Sequence, residues 1–240
     1  MMLDSTAMTP AEFDQFADAY RTLHHQNIRF SGESPEFFAE YKVKDAWELL
    51  WKQGKSATWI LDFGAGIGTS VAPFRKYFPR ASLTCLDVSE KSLAVGRARY
   101  PDLAEFRAFD GKRIPFPENT FDLIFAAGVF HHIPHGEHLD LLREWRRVLR
   151  PGGTALLFEH NPFNPITRHA VNTCPFDDNA HLIYPSELRR RLREAGFEQI
   201  GLRYRLFVPG FLRFLRPLER WLSACPLGAQ YFVHGVKIAP

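Results

Sequence analysis

One segment constrains this chain more than any other: Ile60-Leu61-Asp62-Phe63-Gly64-Ala65-Gly66-Ile67-Gly68-Thr69. An apolar run ends in glycines at every second position, and a helical pattern follows. Glycine has no Cβ, so the backbone can turn sharply there and a ligand can approach it closely. A strand, turn and helix of this kind belong to an open α/β sheet. Such sheets bind ligands beyond the carboxyl ends of their strands, near the switch in strand order.

The rest of the chain repeats the alternation. Short apolar runs predict strands at 58–63, 82–88, 105–110, 121–127 and 154–159. Between them, Ser89 can cap a helix carrying Leu93, Gly96 and Tyr100 on one face. Leu141, Leu142, Trp145, Val148 and Leu149 form the apolar face of a second helix, stopped by Pro151-Gly152-Gly153. Pro185 opens a third, with Leu188 and Leu192 inward and Gly196 as its stop. Strands alternating with helices predict an α/β, doubly wound, Rossmann-like sheet that is mostly parallel. Two more strands are predicted at 199–208 and 229–238. Pro209, Gly210 and Pro217 leave no room for a full crossover helix between them, so this last pair is predicted antiparallel, with at most a short helix over 212–222. Ahead of the sheet, Phe13, Phe16, Ala17 and Tyr20 recur at helical spacing. Gly32 and Pro35 break that pattern, and a second helix is expected over 37–51. The 240 residues therefore divide into an N-terminal helical cap, 1–54, and one main domain, 55–240, which includes a long loop at about 160–183.

Asp87 ends the second strand, where a carboxylate can accept both hydrogen bonds of a ribose diol. These features suit a nicotinamide dinucleotide almost as well as S-adenosylmethionine, but three details favour the methyl donor. The spacing is GxGxG, with Thr69 where a dinucleotide fingerprint has its third glycine. Asp62, two residues before the first glycine, can orient the cationic amino-acid end of the donor. Asp110 and Gly111 follow the third strand, where an acid can meet the adenine amino group. A nicotinamide oxidoreductase would also need a hydride-transfer constellation, and none is found. A regulatory or scaffold protein that binds the donor without using it is the non-enzymatic alternative.

Taken in order, the motifs resemble the class I S-adenosylmethionine-dependent methyltransferases, most closely their small-molecule branch. The turn at 62–68, Leu86-Asp87-Val88-Ser89, the approach from Ile114 to Ile124, Val129-Phe130-His131-His132-Ile133 and Arg147-Val148-Leu149-Arg150-Pro151-Gly152-Gly153 carry the likeness. The resemblance implies a seven-stranded sheet with the last strand antiparallel. It implies donor contacts at Asp62, Gly64, Ala65, Gly66, Gly68, Asp87, Val88, Asp110, Gly111, Ala126 and Phe130, with Tyr20 closing over the donor. It also suggests a role in biosynthesis of glycans, lipids or secondary metabolites; a small-molecule or lipid-linked acceptor is expected, with oxygen as the favoured acceptor atom.

Methyl transfer from a sulfonium needs alignment, exclusion of water and, for a neutral nucleophile, removal of a proton. Histidine titrates near neutrality, so His131 and His132, after the fourth strand, and His160, after the fifth, are the candidate bases. Packing or donor contact is the competing role for the first two. Asn161, Asn164 and Arg168, in the loop after the fifth strand, are the candidate acceptor contacts; Arg168 suits an anionic group. The competing role for that loop is to fix its own backbone. Glu159, His160, Asp177 and Asp178 match no metal motif, and no metal is expected.

Composition narrows the rest. A formal charge of +3 without a long basic run argues against nucleic acid. Three cysteines without a CxxC pair argue against disulfides or structural zinc. The first ten residues lack a signal-peptide pattern and no apolar stretch is long enough to cross a membrane, so a cytoplasmic protein is expected. Phe211, Leu212, Leu215, Leu218 and Trp221, interleaved with arginines, suit peripheral contact with the inner membrane face. An ordinary cover over the sheet edge is the plainer reading. The oligomeric state is not legible.

Overall fold

The computed structural model describes residues 32–174 and 180–239. It begins with helix α1, Pro35–Lys52. The alternating core follows as β1 (Trp59–Phe63), α2 (Val71–Tyr77), β2 (Ser82–Asp87), α3 (Glu90–Arg99), β3 (Glu105–Ala108), β4 (Phe121–Ala127), α4 (His138–Val148) and β5 (Leu149–His160). Then come α5 (Pro165–Asn172), α6 (Pro185–Glu194), β6 (Glu198–Arg205), α7 (Glu219–Leu222) and β7 (Gln230–Val236). Short 3-10 segments occupy Phe130–His132 and Gly210–Leu218.

The seven strands form one sheet in the order β3-β2-β1-β4-β5-β7-β6. β1 to β5 pair in parallel, and β7 runs antiparallel to both β5 and β6. The doubly wound sheet with an antiparallel last strand is therefore as the sequence predicts. The order reverses between β1 and β4, and the crevice at that switch point is where the fold places a ligand.

Both faces of the sheet are covered, which explains why its strands read as nearly continuous apolar runs. On one face Leu61, Phe63, Ile124 and Leu157 pack with Leu142 and Trp145 of α4 and Leu188 and Leu192 of α6. On the other, Ile60, Leu123, Phe125 and Phe158 pack with Val43, Ala46 and Leu50 of α1, Phe74 of α2 and Leu93 of α3. Residues 35–52, read from the sequence as part of a cap, thus share a core with the sheet.

Three local readings are corrected. α1 starts two residues before the predicted 37: Pro35 stands in its first turn, and the Ser34 hydroxyl accepts from the Phe37 amide at 3.2 Å. Leu149 belongs to β5, opposite Phe121. The next register pair is Leu123 with Thr154, so Pro151-Gly152-Gly153 is absorbed by an irregularity in the strand. The stretch read as a long loop contains α5; residues 175–179 lie outside the described part. The first predicted helix, with Tyr20, also lies outside it.

Candidate functional site

At the switch point, the ends of β1, β2 and β4, the turn after β3 and the first turns of α1 line a cavity of about 340 Å³. That size suits a small-molecule ligand. The glycine turn forms its floor. The Gly64 and Ala65 amides both donate to the Leu86 carbonyl, at 2.8 and 3.1 Å, which ties the turn to β2. Gly64 has φ +71°, and a Cβ there would lie 2.5 Å from Val129 Cγ2. Glycine is therefore required both by conformation and by the close approach of the strand β4 turn.

Asp87 is fixed from both sides. Its Oδ2 accepts from the Gly66 amide at 2.7 Å and its Oδ1 from the Ser89 amide at 2.9 Å. The carboxylate is thereby held rigid at the cavity wall. Asp62 is 2% exposed and accepts from the Ser70 hydroxyl. Burial pushes its carboxyl up to about 7, with Asp87 adding to the rise and Ser70 and Lys42 opposing it. A cationic group in the cavity would favour its ionised form. At the far end Asp110 Oδ1 accepts from the Lys112 and Arg113 amides, both at 2.9 Å, and these bonds lower its carboxyl below the usual range.

Of the residues predicted to contact the donor, Asp62, Gly64, Ala65, Gly66, Asp87, Val88, Asp110 and Gly111 all line the cavity. Three do not. Ala126 and Phe130 are buried in the core on the α4 side of the sheet. Side chains on a strand alternate, so Ala127, next to Ala126, faces the cavity, and the turn after β4 adds Gly128 and Val129 to its lining. Gly68, with φ +74°, sits behind the turn, where a Cβ would lie 3.0 Å from the Phe106 ring. It serves the packing of the turn on β3.

The histidines separate in the same way. His132 lines the cavity, but His131 does not. His131 is buried behind it, its Nδ1 2.6 Å from Glu159 Oε2 and its ring centroid 4.1 Å from that of His132. Glu159 Oε1 accepts from the amides of Phe130 at 2.8 Å and Val129 at 3.3 Å. Burial alone would raise the Glu159 carboxyl; His131, His160 and the Phe130 amide together hold it below the usual range. His160 is half-buried, outside the cavity lining, with its ring 5.3 Å from that of His131.

The predicted acceptor contacts lie elsewhere. Asn161 is fully buried and donates to the carbonyls of Pro226 and Gly228 at 2.8 and 2.6 Å, while accepting from the Phe163 amide at 3.1 Å. Asn164 caps α5 through the Thr167 amide at 3.0 Å and donates to the Leu227 carbonyl at 2.8 Å. Both side chains fasten the loop to the segment before β7, and neither lines the cavity. Arg168 is exposed on α5. Among the described residues no cluster of histidine, cysteine, aspartate or glutamate could hold a metal.

The wall that sequence reasoning missed is the α1 stripe of Pro35, Phe38, Ala39 and Lys42. Its spacing of three, four and seven marks one helix face, which was the available signal.

Residues 61–157 match the family model described as "Methyltransferase domain". Over 124 residues the chain is 32% identical to the ubiquinone/menaquinone biosynthesis C-methyltransferase UbiE of Ectopseudomonas mendocina, covering 49% of this chain and 48% of that one. It is 33% identical over the same length to UbiE of Pseudomonas fluorescens. The chain thus spans about half the length of the relatives it matches. In fold it is similar to an S-adenosylmethionine-dependent methyltransferase of Thermotoga maritima, with a TM-score of 0.68, 18% identity, and coverage of 94% of this chain and 97% of that one. It is also similar to phosphoethanolamine N-methyltransferase 2 of Haemonchus contortus, whose structure is a complex with S-adenosyl-L-methionine; the TM-score is 0.64 at 18% identity, over 95% of this chain and 60% of that one.

Proposed function

We propose that the chain, whose residues 61–157 match a methyltransferase-domain model, is a class I S-adenosylmethionine-dependent methyltransferase that transfers the donor's methyl group to an oxygen of a small-molecule or lipid-linked acceptor. The observation that carries the reading is the rigid acid at each station of the cavity: Asp62, Asp87 and Asp110. They match in order an ammonium, a ribose diol and an adenine amino group. The donor supplies an already activated methyl. The protein's part is then to hold the donor, keep water out and take a proton from the acceptor. His132 is the ring at the cavity wall for that last role, with His131 and Glu159 behind it. A second reading, favoured by the UbiE relatives whose name specifies C-methylation, puts the methyl on a ring carbon made nucleophilic by an ionised hydroxyl. Mass spectrometry and NMR of the product distinguish the two.

Calorimetric titration with S-adenosylhomocysteine, and with NAD in parallel, tests the donor assignment. Micromolar binding of the former and none of NAD is expected. Preference for NAD would overturn the reading.

A lipid-linked acceptor is supported by the surface beside the cavity. Phe211, Phe214 and Trp221 are 77%, 71% and 74% exposed, beside the exposed Arg213 and Arg220. The acid of this stretch, Glu219, is buried and accepts from the Phe207 and Val208 amides, so the outer face is aromatic and basic. Arg216 joins the stretch to the first turns of α1, stacking over Phe37 at 4.3 Å and pairing with Glu33. Such a face suits an anionic membrane surface at the cytoplasmic side. Sedimentation with phosphatidylcholine vesicles with and without phosphatidylglycerol should show binding to the anionic ones. The pair Phe214→Ser and Trp221→Ser should weaken it by about tenfold or more. Equal sedimentation of both proteins would leave the stretch as a cover for the chain itself.

A further inference from the structure

We propose that Phe163, Ile166, Tyr184 and Leu227 form a second membrane-contact patch, which together with residues 210–222 seats the carboxyl end of the sheet on an anionic bilayer. The inference rests on the lipid-surface reading of 210–222 and deepens it.

Strand pairing brings the two patches to one end of the molecule. His160, the last residue of β5, stands opposite Gln230, the first of β7. Gln230 in turn stands opposite Arg205, the last of β6. The chain leaves this level through 161–166 after β5 and 206–222 after β6, and returns to it through 223–229. Each of these segments carries large apolar side chains outward. Phe163 and Leu227 are exposed, and Ile166 is 73% exposed, as much as Phe214 or Trp221. The exposed Tyr184 sets its ring 5.4 Å from that of Phe163. The Tyr231 hydroxyl donates to the Ile183 carbonyl at 2.8 Å, which ties Tyr184 to the start of β7. The patch is a built one. Asn164 donates to the Leu227 carbonyl at 2.8 Å, and the buried Asn161 holds the carbonyls on either side of it, those of Pro226 and Gly228. The Cys225 amide donates to the Leu222 carbonyl at 2.7 Å, so Leu227 continues from the exposed Trp221 and Leu222.

Charge and shape select the partner. Residues 161–174 include no acid, and Arg168 and His169 among them are exposed. Residues 206–229 include one acid, the buried Glu219. An aromatic and basic face meets an anionic one. Its side chains project from separate segments. A protein partner must match each with a pocket, whereas acyl chains flow around them. Seated this way, the molecule turns its strand ends, and the cavity they line, toward the bilayer.

Sedimentation with phosphatidylcholine vesicles carrying phosphatidylglycerol tests the second patch by itself. The pair Phe163→Ser and Ile166→Ser should weaken binding by about tenfold. Combined with Phe214→Ser and Trp221→Ser, the losses should multiply to about 100-fold, because the two patches contribute separately. Trp51→Ser is the control. Trp51 is 67% exposed but lies where α1 leads into the amino end of β1, so this variant should bind within about twofold of wild type. Thermal melts and S-adenosylhomocysteine titration should match wild type, since none of the substituted residues lines the cavity. Should the serine pair fail to fold, Ile166→Glu, a single change on an exposed side chain, should show the same loss. Undiminished binding by these variants, or an equal loss in Trp51→Ser, overturns the second patch and leaves 210–222 standing. A wild-type chain that does not sediment with the anionic vesicles overturns both patches, while its titration with S-adenosylhomocysteine still tests the methyltransferase reading separately.

Discussion

Asp87→Ala should weaken S-adenosylhomocysteine by about 100-fold or more. The side chain does two things at once. It presents a carboxylate to the cavity where the donor's ribose is proposed to sit, and it clamps the glycine turn by accepting from Gly66 at 2.7 Å and from Ser89 at 2.9 Å. Hydrogen bonds to a charged group contribute about 1.5–3 kcal/mol each, so losing two ligand contacts is worth about two orders of magnitude or more in affinity. The loosened turn adds to the loss, because Gly64 and Ala65 share its path. Asp87→Asn separates the two contributions. It keeps one acceptor oxygen but turns a donor toward an amide that itself donates, and about a tenfold loss is expected. Calorimetry reads both variants. An Asp87→Ala protein that binds within about threefold of wild type would remove Asp87 from the donor site.

Asp87 also shows why much of the cavity lining was legible. A strand-end acid and a glycine turn leave local marks in the sequence. The backbone at Gly64 excludes any side chain, by its φ of +71° and by Val129, and so the composition of the turn is forced. The errors fall where the decisive constraint is not local. Ala126 and Ala127 have the same chemistry, and which of them faces the cavity depends on where the pleat of β4 ends. Asn161 and Asn164 look like binding residues, yet their amides serve carbonyls more than 60 residues away, a pairing that only the antiparallel return of β7 creates. Lys42 is more than 20 residues upstream of the glycine turn. It reaches the cavity because α1 packs on the same face as α2, a tertiary fact without a motif. The sheet itself was readable because two covered faces impose long apolar runs, and because the breaks at Pro209, Gly210 and Pro217 exclude a parallel return.

Glu159 carries the largest expected effect on stability. At 2% exposure it satisfies three donors: the Val129 and Phe130 amides and His131 Nδ1. Glu159→Ala strands all three in the interior, beside the turn that carries Val129 and His132 into the cavity. Removing one partner of a buried charged pair costs about 3–5 kcal/mol, which for a chain of this size lowers Tm by about 6–20 °C. Glu159→Gln should cost less, since its carbonyl can still accept from both amides while the amide group faces a His131 that must present the other tautomer. The two variants differ from wild type in acid as well. His131 and the Phe130 amide hold the Glu159 carboxyl below its unfolded value of about 4.3. Its stabilisation is therefore complete above that value and is lost as pH falls through the lower, folded one, because the unfolded chain takes up the proton first. Melts between neutral pH and pH 3 should show a steeper acid-side fall for wild type than for Glu159→Gln. Parallel curves would mean that Glu159 carries no charge in the folded protein, and His131 would then lose the anion proposed to orient it behind His132.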